Sequence, residues 1–105
     1  MSAIKVYYSS VTGSRQVRQR QAEVRRILDV NRLQYELIDV SVSEGRLREM
    51  REKAGDPQAM PPQIFNGDEY CGDFEMLYQA TENEEVSKFL KMTSIDKPVR
   101  EEITV

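Results

Sequence analysis

The sequence predicts an α/β domain in which a four-stranded mixed sheet is flanked by helices on both faces, in the order β-α-β-α-β-β-α-α. Three observations predict it. The β-branched and aromatic run Ile4-Lys5-Val6-Tyr7-Tyr8 is followed by a polar loop and then by apolar residues at helical spacing. The turn Asn66-Gly67-Asp68 joins two short apolar runs, which is a strong hairpin signal. A length of 105 residues, 39% hydrophobic and 31% charged, suits one folded domain, since a single core organises about 100 to 150 residues.

Each element has its own justification. After the first strand, Ser9-Ser10-Val11-Thr12-Gly13-Ser14 reads as a loop, and Ser14 can cap the following helix by accepting a free N–H of its first turn. Val17, Gln21, Val24, Ile27, Leu28 and Val30 form that helix's inward stripe, with Gln21 as its weak point. Leu33 to Val40 alternates as a second strand. A second helix is expected to begin near Ser41 or Ser43, because Ser41-x-x-Glu44 has the form of a capping box. Leu47, Met50 and Ala54 point inward, and Gly55-Asp56-Pro57 stops it. Pro62 to Phe65 and Glu69 to Cys71 are the hairpin strands. Asp73 can cap a helix carrying Phe74, Leu77 and Tyr78; a break at Thr81-Glu82-Asn83 precedes a last helix with Val86, Phe89 and Leu90. The initial βαβ unit implies two parallel strands with a right-handed crossover, and the hairpin adds antiparallel strands.

Composition removes several function classes. The chain has no histidine and one cysteine, Cys71, so neither histidine acid/base chemistry nor a Cys/His zinc site is available. A single cysteine allows no internal disulfide and suits a reducing compartment. No apolar run approaches the roughly 18 to 20 residues that span a bilayer, and Met1-Ser2-Ala3-Ile4-Lys5 lacks a signal-peptide core. The cytoplasm is therefore the expected location, with the nucleus in addition, and no membrane partner is expected. Six arginines (15, 18, 20, 25, 26 and 32) fall between Arg15 and Arg32, and seven acids with no lysine or arginine between Asp68 and Glu85. Solvated helix faces account for such runs. The net charge of −3 and the lack of aromatics among the arginines argue against nucleic acid.

The stretch Pro61-Pro62-Gln63-Ile64-Phe65-Asn66-Gly67-Asp68-Glu69-Tyr70-Cys71-Gly72-Asp73-Phe74, with Ser9-Ser10-Val11-Thr12-Gly13-Ser14-Arg15 and Arg26-Ile27-Leu28-Asp29, resembles the glutaredoxin branch of the thioredoxin superfamily. More closely, it resembles the short members of the SH3 domain-binding glutamic acid-rich-like family. The resemblance covers roughly residues 3–92 and implies a thioredoxin-like domain, placed at 1–92; the polar composition after Met92 and the break at Lys97-Pro98 make 93–105 a flexible C-terminal tail. Glutaredoxins carry a Cys-x-x-Cys pair, or one cysteine, where the first strand meets the first helix, whose N-terminus lowers the thiol pKa. By that alignment the position falls on Thr12-Gly13-Ser14-Arg15. A hydroxyl cannot cycle through a disulfide, so thiol–disulfide exchange is chemically unavailable there.

The resemblance further implies a cis bond before Pro62. In glutaredoxins the residue before that proline pairs its backbone with glutathione through both N–H and C=O; here it is Pro61, which has no N–H. The Gly-Gly-Cys-Asp stretch that holds the γ-glutamyl end appears as Cys71-Gly72-Asp73-Phe74. A helix N-terminus at Asp73 still offers backbone donors to a carboxylate, so the residues allow weak glutathione binding and exclude tight binding.

Other motifs have plainer readings. Cys71 is expected to be a structural cysteine with Asp73 disfavouring its thiolate; the alternative is a redox-sensitive thiol open to glutathionylation. Pro61-Pro62-x-x-Phe65 matches an EVH1 ligand, and Ala59-Met60 stands where relatives carry a further proline, so no Pro-x-x-Pro remains for an SH3 groove. These prolines are expected to shape the loop and set a strand, which speaks against SH3 or EVH1 recognition in the folded state. The ending Ile103-Thr104-Val105 fits a class of PDZ ligands.

The expected function is a non-catalytic protein-binding or regulatory module, a modulator of glutaredoxin activity or a signalling or cytoskeletal adaptor, without a cofactor or metal, as a monomer or weak homodimer. The expected surface is Thr12, Gly13, Ser14, Arg15, Pro61, Pro62, Gln63, Ile64, Gly72 and Asp73, where loops and helix N-termini converge. Thr12→Glu with Gly72→Glu is expected to remove it and leave the fold intact. The alternative is a weak glutathione-dependent redox enzyme or sensor working through Cys71.

Overall fold

Strand β1 (Ile4–Tyr8) sends Ile4 and Val6 to one side of the sheet and Tyr7 to the other, and all three are buried. This period-two alternation divides the core between two helical layers. The computed structural model describes residues 3–92. Helix α1 (Arg15–Val30) crosses over to β2 (Tyr35–Asp39), which lies parallel to β1 with Val6 opposite Leu37. A 3₁₀ turn (Val40–Val42) leads to α2 (Glu44–Ala54), which Gly55 ends at φ +70 in the left-handed conformation that glycine adopts without steric cost. Then come β3 (Gln63–Asn66), β4 (Glu69–Asp73), α3 (Phe74–Glu82) and the single turn α4 (Val86–Phe89). The four-stranded sheet runs β2-β1-β3-β4, with β3 antiparallel to both its neighbours. That is the thioredoxin-like architecture that the resemblance implied.

On the first face, Ile4, Val6, Ile64 and Cys71 pack against Val24, Ile27, Leu28, Leu77, Val86 and Leu90 of α1, α3 and the α4 turn. On the second, Tyr7, Phe65, Ile38, Val40 and Ala59 surround Met50 of α2. Phe65 stacks edge-on against Tyr7 at 5.2 Å between centroids and lies 5.2 Å from Tyr70. Burying one such side chain contributes roughly 1.5–3 kcal/mol. The Tyr7 hydroxyl donates to Glu49 of α2, and burial first, then that carboxylate, raises its pKa well above the ordinary tyrosine value.

Several local expectations need correction. The capping box at Ser41 does not form: Ser41 lies in the 3₁₀ turn and gives its N–H and hydroxyl to Asp39, while Ser43 caps α2 by accepting the Arg46 N–H at 3.2 Å. Serine serves as an N-cap wherever the chain turns into the helix, and the turn over Val40–Val42 delays that point. The second strand is shorter than Leu33–Val40, because Leu33 packs beneath α1 and Val40 begins the turn. Val30 leaves the inward stripe with α1's last turn and is 66% exposed, and Tyr78 is also exposed. Strand β3 starts at Gln63, after the prolines, and β4 runs on to Asp73. The tail reading and its PDZ-like ending fall on residues 93–105, outside the described residues.

Candidate functional site

The β1–α1 junction is built by side chains that satisfy loop backbone. Ser14 caps α1, its Oγ accepting the Val17 N–H at 3.2 Å, and Thr12 Oγ accepts the Ser14 N–H at 3.2 Å. Arg18 Nη1 donates to the Thr12 carbonyl at 2.9 Å. Buried Gln21 closes the base of the loop: its Oε1 accepts the Ser9 N–H at 2.8 Å and its Nε2 donates to the Ser9 carbonyl at 3.1 Å. The polar residue that looked like a flaw in α1's stripe therefore serves two backbone groups that would otherwise be unpaired, each costing about 1–3 kcal/mol.

A second tie holds the loop to the end of β2. Asp39 accepts the Ser10 N–H at 3.1 Å, the Ser10 hydroxyl, the Ser41 N–H at 2.9 Å and the Ser41 hydroxyl at 2.6 Å. These bonds, the Ser10 hydroxyl's foremost, hold its carboxyl far below the usual carboxylate range.

Facing the loop are α2 and the segment before β3. Arg51 Nε donates to the Ala59 carbonyl at 3.0 Å and Nη2 approaches Met60 Sδ at 3.6 Å. The Pro61–Pro62 bond is cis and both prolines are buried. Gln63 is buried beneath them, with Nε2 donating to the Met60 carbonyl at 2.7 Å and Oε1 accepting the Tyr70 hydroxyl at 2.7 Å. Between the two walls lies a cleft of about 350 Å³ lined by Ser9, Val11, Thr12, Gly13, Val17, Val40, Ser41, Leu47, Arg51, Met60 and Pro61. Its rim carries two exposed apolar side chains, Val11 at 78% and Met60 at 55%.

The ten expected surface residues therefore separate. Thr12, Gly13 and Pro61 line the cleft, with Ser14 and Arg15 exposed beside it at the start of α1. Pro62, Gln63, Ile64 and Gly72 are buried, and Ile64 sits between Val6 and Gly72 in the ladder. Gly72 stands at φ +150, and a Cβ there would lie 2.8 Å from both Met76 Sδ and a Phe89 ring carbon. Gly72→Glu is thus a core substitution, and the expectation that it spares the fold is wrong. Asp73 caps α3 by accepting the Met76 N–H at 3.0 Å. The proline motif is equally inward, with Phe65 wholly in the core.

Cys71 is buried on β4 beneath α3. Burial pushes its thiol pKa up, Lys91 opposes that and Glu69 adds to it; the raising carboxylate is Glu69 and not the Asp73 expected from the sequence. The Ser14 and Thr12 hydroxyls accept backbone N–H groups and neither is hydrogen-bonded to a basic side chain, and among the described residues no group of acids and cysteine is placed to hold a metal. No helix of the described residues is long and apolar enough to cross a membrane. Ser10, Val11, Gln21, Asp39, Ser41, Leu47, Arg51 and Met60 are the site residues that sequence reasoning missed. Their signal was slight: a glutamine inside an apolar stripe, and apolar residues in polar loops.

Comparison with known proteins agrees with this fold. The C. albicans actin interacting protein Aip5 shares the fold at a TM-score of 0.72 and 23% identity, over 88% of this chain and 91% of that one. The glutaredoxin of Brucella melitensis superposes at a TM-score of 0.64 and 23% identity, over 91% and 96%. A Drosophila melanogaster SH3 domain-binding glutamic acid-rich protein homolog is 34% identical over 105 residues; the match takes in 89% of this chain and 66% of that protein's length, just under two thirds. The profile of the SH3-binding, glutamic acid-rich proteins matches residues 2–93. With the thioredoxin-like sheet, the buried proline pair and the thiol-free junction in place, the chain belongs to the SH3-binding, glutamic acid-rich protein family.

Proposed function

We propose that this chain is a redox-silent, glutaredoxin-like protein-binding module that engages its partners through the cleft between the β1–α1 loop and the Met60–Pro61 segment. The observation that carries the proposal is the strand–helix junction, where Thr12 and Ser14 replace thiols and both hydroxyls accept backbone N–H groups. Exposed Val11 and Met60 at the cleft rim supply apolar contact area. Family membership supports a protein partner. Modulating a glutaredoxin and serving a signalling or cytoskeletal assembly are two roles for this one surface. A reducing compartment, cytoplasm or nucleus, suits the single buried thiol.

Two assays test the proposal together. Turnover of a small mixed disulfide with glutathione should stay at the uncatalysed rate, in the natural chain and in Cys71→Ser alike; turnover that Cys71→Ser abolishes would establish the enzyme instead. Partners recovered on the immobilised chain should be lost with Val11→Glu/Met60→Glu while its thermal unfolding is unchanged. Undiminished recovery would remove the cleft from the proposal.

A further inference from the structure

Resting on the protein-binding reading of the cleft, we infer that Arg51 selects the partner: the occupant is an extended protein segment carrying a carboxylate side chain next to a large apolar residue. Among the described residues, Arg51 is the only charged one in the lining of the cleft, whose walls are otherwise apolar side chains and uncharged polar groups. Its guanidinium is held in place by protein atoms that carry no formal charge. Nε is fixed on the Ala59 carbonyl and one Nη2 hydrogen is directed at Met60 Sδ. Three of its five N–H groups remain for a ligand.

Among the described residues no carboxylate lies within salt-bridge distance of Arg51, whereas Arg20 and Arg26 are each paired with a glutamate. Asp39, next to the lining residues Val40 and Ser41, accepts four hydrogen bonds from Ser10 and Ser41. A half-buried, pre-oriented guanidinium without an anion, set against apolar walls, is complementary to a carboxylate. Charge-assisted, forked hydrogen bonds of this kind are among the stronger polar contacts.

The shape indicates an extended segment. Leu47 and Arg51 also line a neighbouring hollow of about 630 Å³ that runs along α2 to Pro57 and carries Glu44, Glu52 and Asp56. Arg51 therefore stands where two hollows meet, with the acids on the far side of it from the apolar cleft. A strand-like segment advances about 3.3 Å per residue with alternate side chains on opposite sides. It can set an apolar side chain between Val11 and Met60 and an acidic one at Arg51. A polyanion such as nucleic acid is the poorer fit, because the chain's net charge is −3 and polyanion binding needs several cations in register.

The test is display selection from a random decapeptide library on the immobilised chain, followed by titration of the recovered peptide by fluorescence polarisation and amide NMR. The recovered peptides should pair Asp or Glu with Leu, Ile, Phe or Met. Replacing that acid by its amide in the peptide should weaken binding about tenfold, with no change to the protein. Arg51→Gln should weaken the acidic peptide to the same extent and leave the amide peptide unaffected, and Arg51→Lys should fall between. Cleft-bound peptides with no preference for an acid would overturn this inference and leave the protein-binding reading standing. Peptides whose shifts fall away from the cleft would overturn both. Displacement of the acidic peptide by equimolar glutathione would overturn it too, since the cleft would then be a site for a small thiol ligand.

Discussion

Two helix N-termini lie at the same end of the sheet, and they have opposite fates. At α1 the incoming loop is open: Val11 is 78% exposed and Gly13 meets nothing that would obstruct a side chain. At α3 the incoming strand is shut, with Cys71 and Gly72 buried and Met76 and Phe89 packed where a Gly72 side chain would begin. In glutaredoxins, as the family resemblance has it, both corners serve one tripeptide. Here the α1 corner is exposed, while the strand end Cys71–Gly72 that leads into α3 is buried. The α3 corner has no room for a side chain at Gly72, while the α1 corner leaves room for one at Gly13.

The largest test of that contrast is a pair of substitutions that look alike in sequence. Gly72→Glu adds a side chain at a positive φ into space held by Met76 and Phe89, and should cost about 3 kcal/mol of stability through strain and overpacking. Thr12→Glu, on the open side, should stay within about 0.5 kcal/mol. Denaturant unfolding reads both, and equal effects would dissolve the distinction between the corners.

A smaller effect is expected where the open corner is tied down. Gln21→Ala leaves the Ser9 N–H and carbonyl without their side-chain partners and should cost about 2 kcal/mol. Amide exchange at Ser9 should accelerate while that at Cys71 does not. Exchange that rises equally at both sites would mean that the junction and the core open as one unit.

The smallest effect concerns acid. Asp39's pKa is depressed by the hydroxyls of Ser10 and Ser41. Its contribution to stability is therefore complete above the unfolded value of about 3.9 and drains as pH falls through the lower folded value. In Asp39→Asn the loss of stability on acidification below that point should be shallower than in the natural chain. Superimposable pH profiles would show that the strap contributes nothing to folding.

The fold was legible in sequence because its signals are local and repeated. Alternation in Ile4–Tyr8, the Asn66-Gly67 turn and the Ser14 and Asp73 caps each specify their element without tertiary help. The site was legible only in part. Thr12 and Ser14 announce a missing thiol by position alone, whereas Gln21, Asp39 and Arg51 act on backbone or side chains 8 to 29 residues away. No periodicity encodes such pairings. Gly72 misled for a related reason: a glycine before a helix cap reads as open surface until the neighbours that fill its space are known.

The most direct measurement is a glutathione titration followed residue by residue in amide NMR. With α3's corner closed, the amides of Gly72, Asp73 and Phe74 should not move at millimolar ligand, whatever happens at Thr12 to Arg15. Saturable shifts running from Thr12 across Ile64 to Gly72 and Asp73 would contradict the division, and would mean that the two corners still act as one tripeptide site.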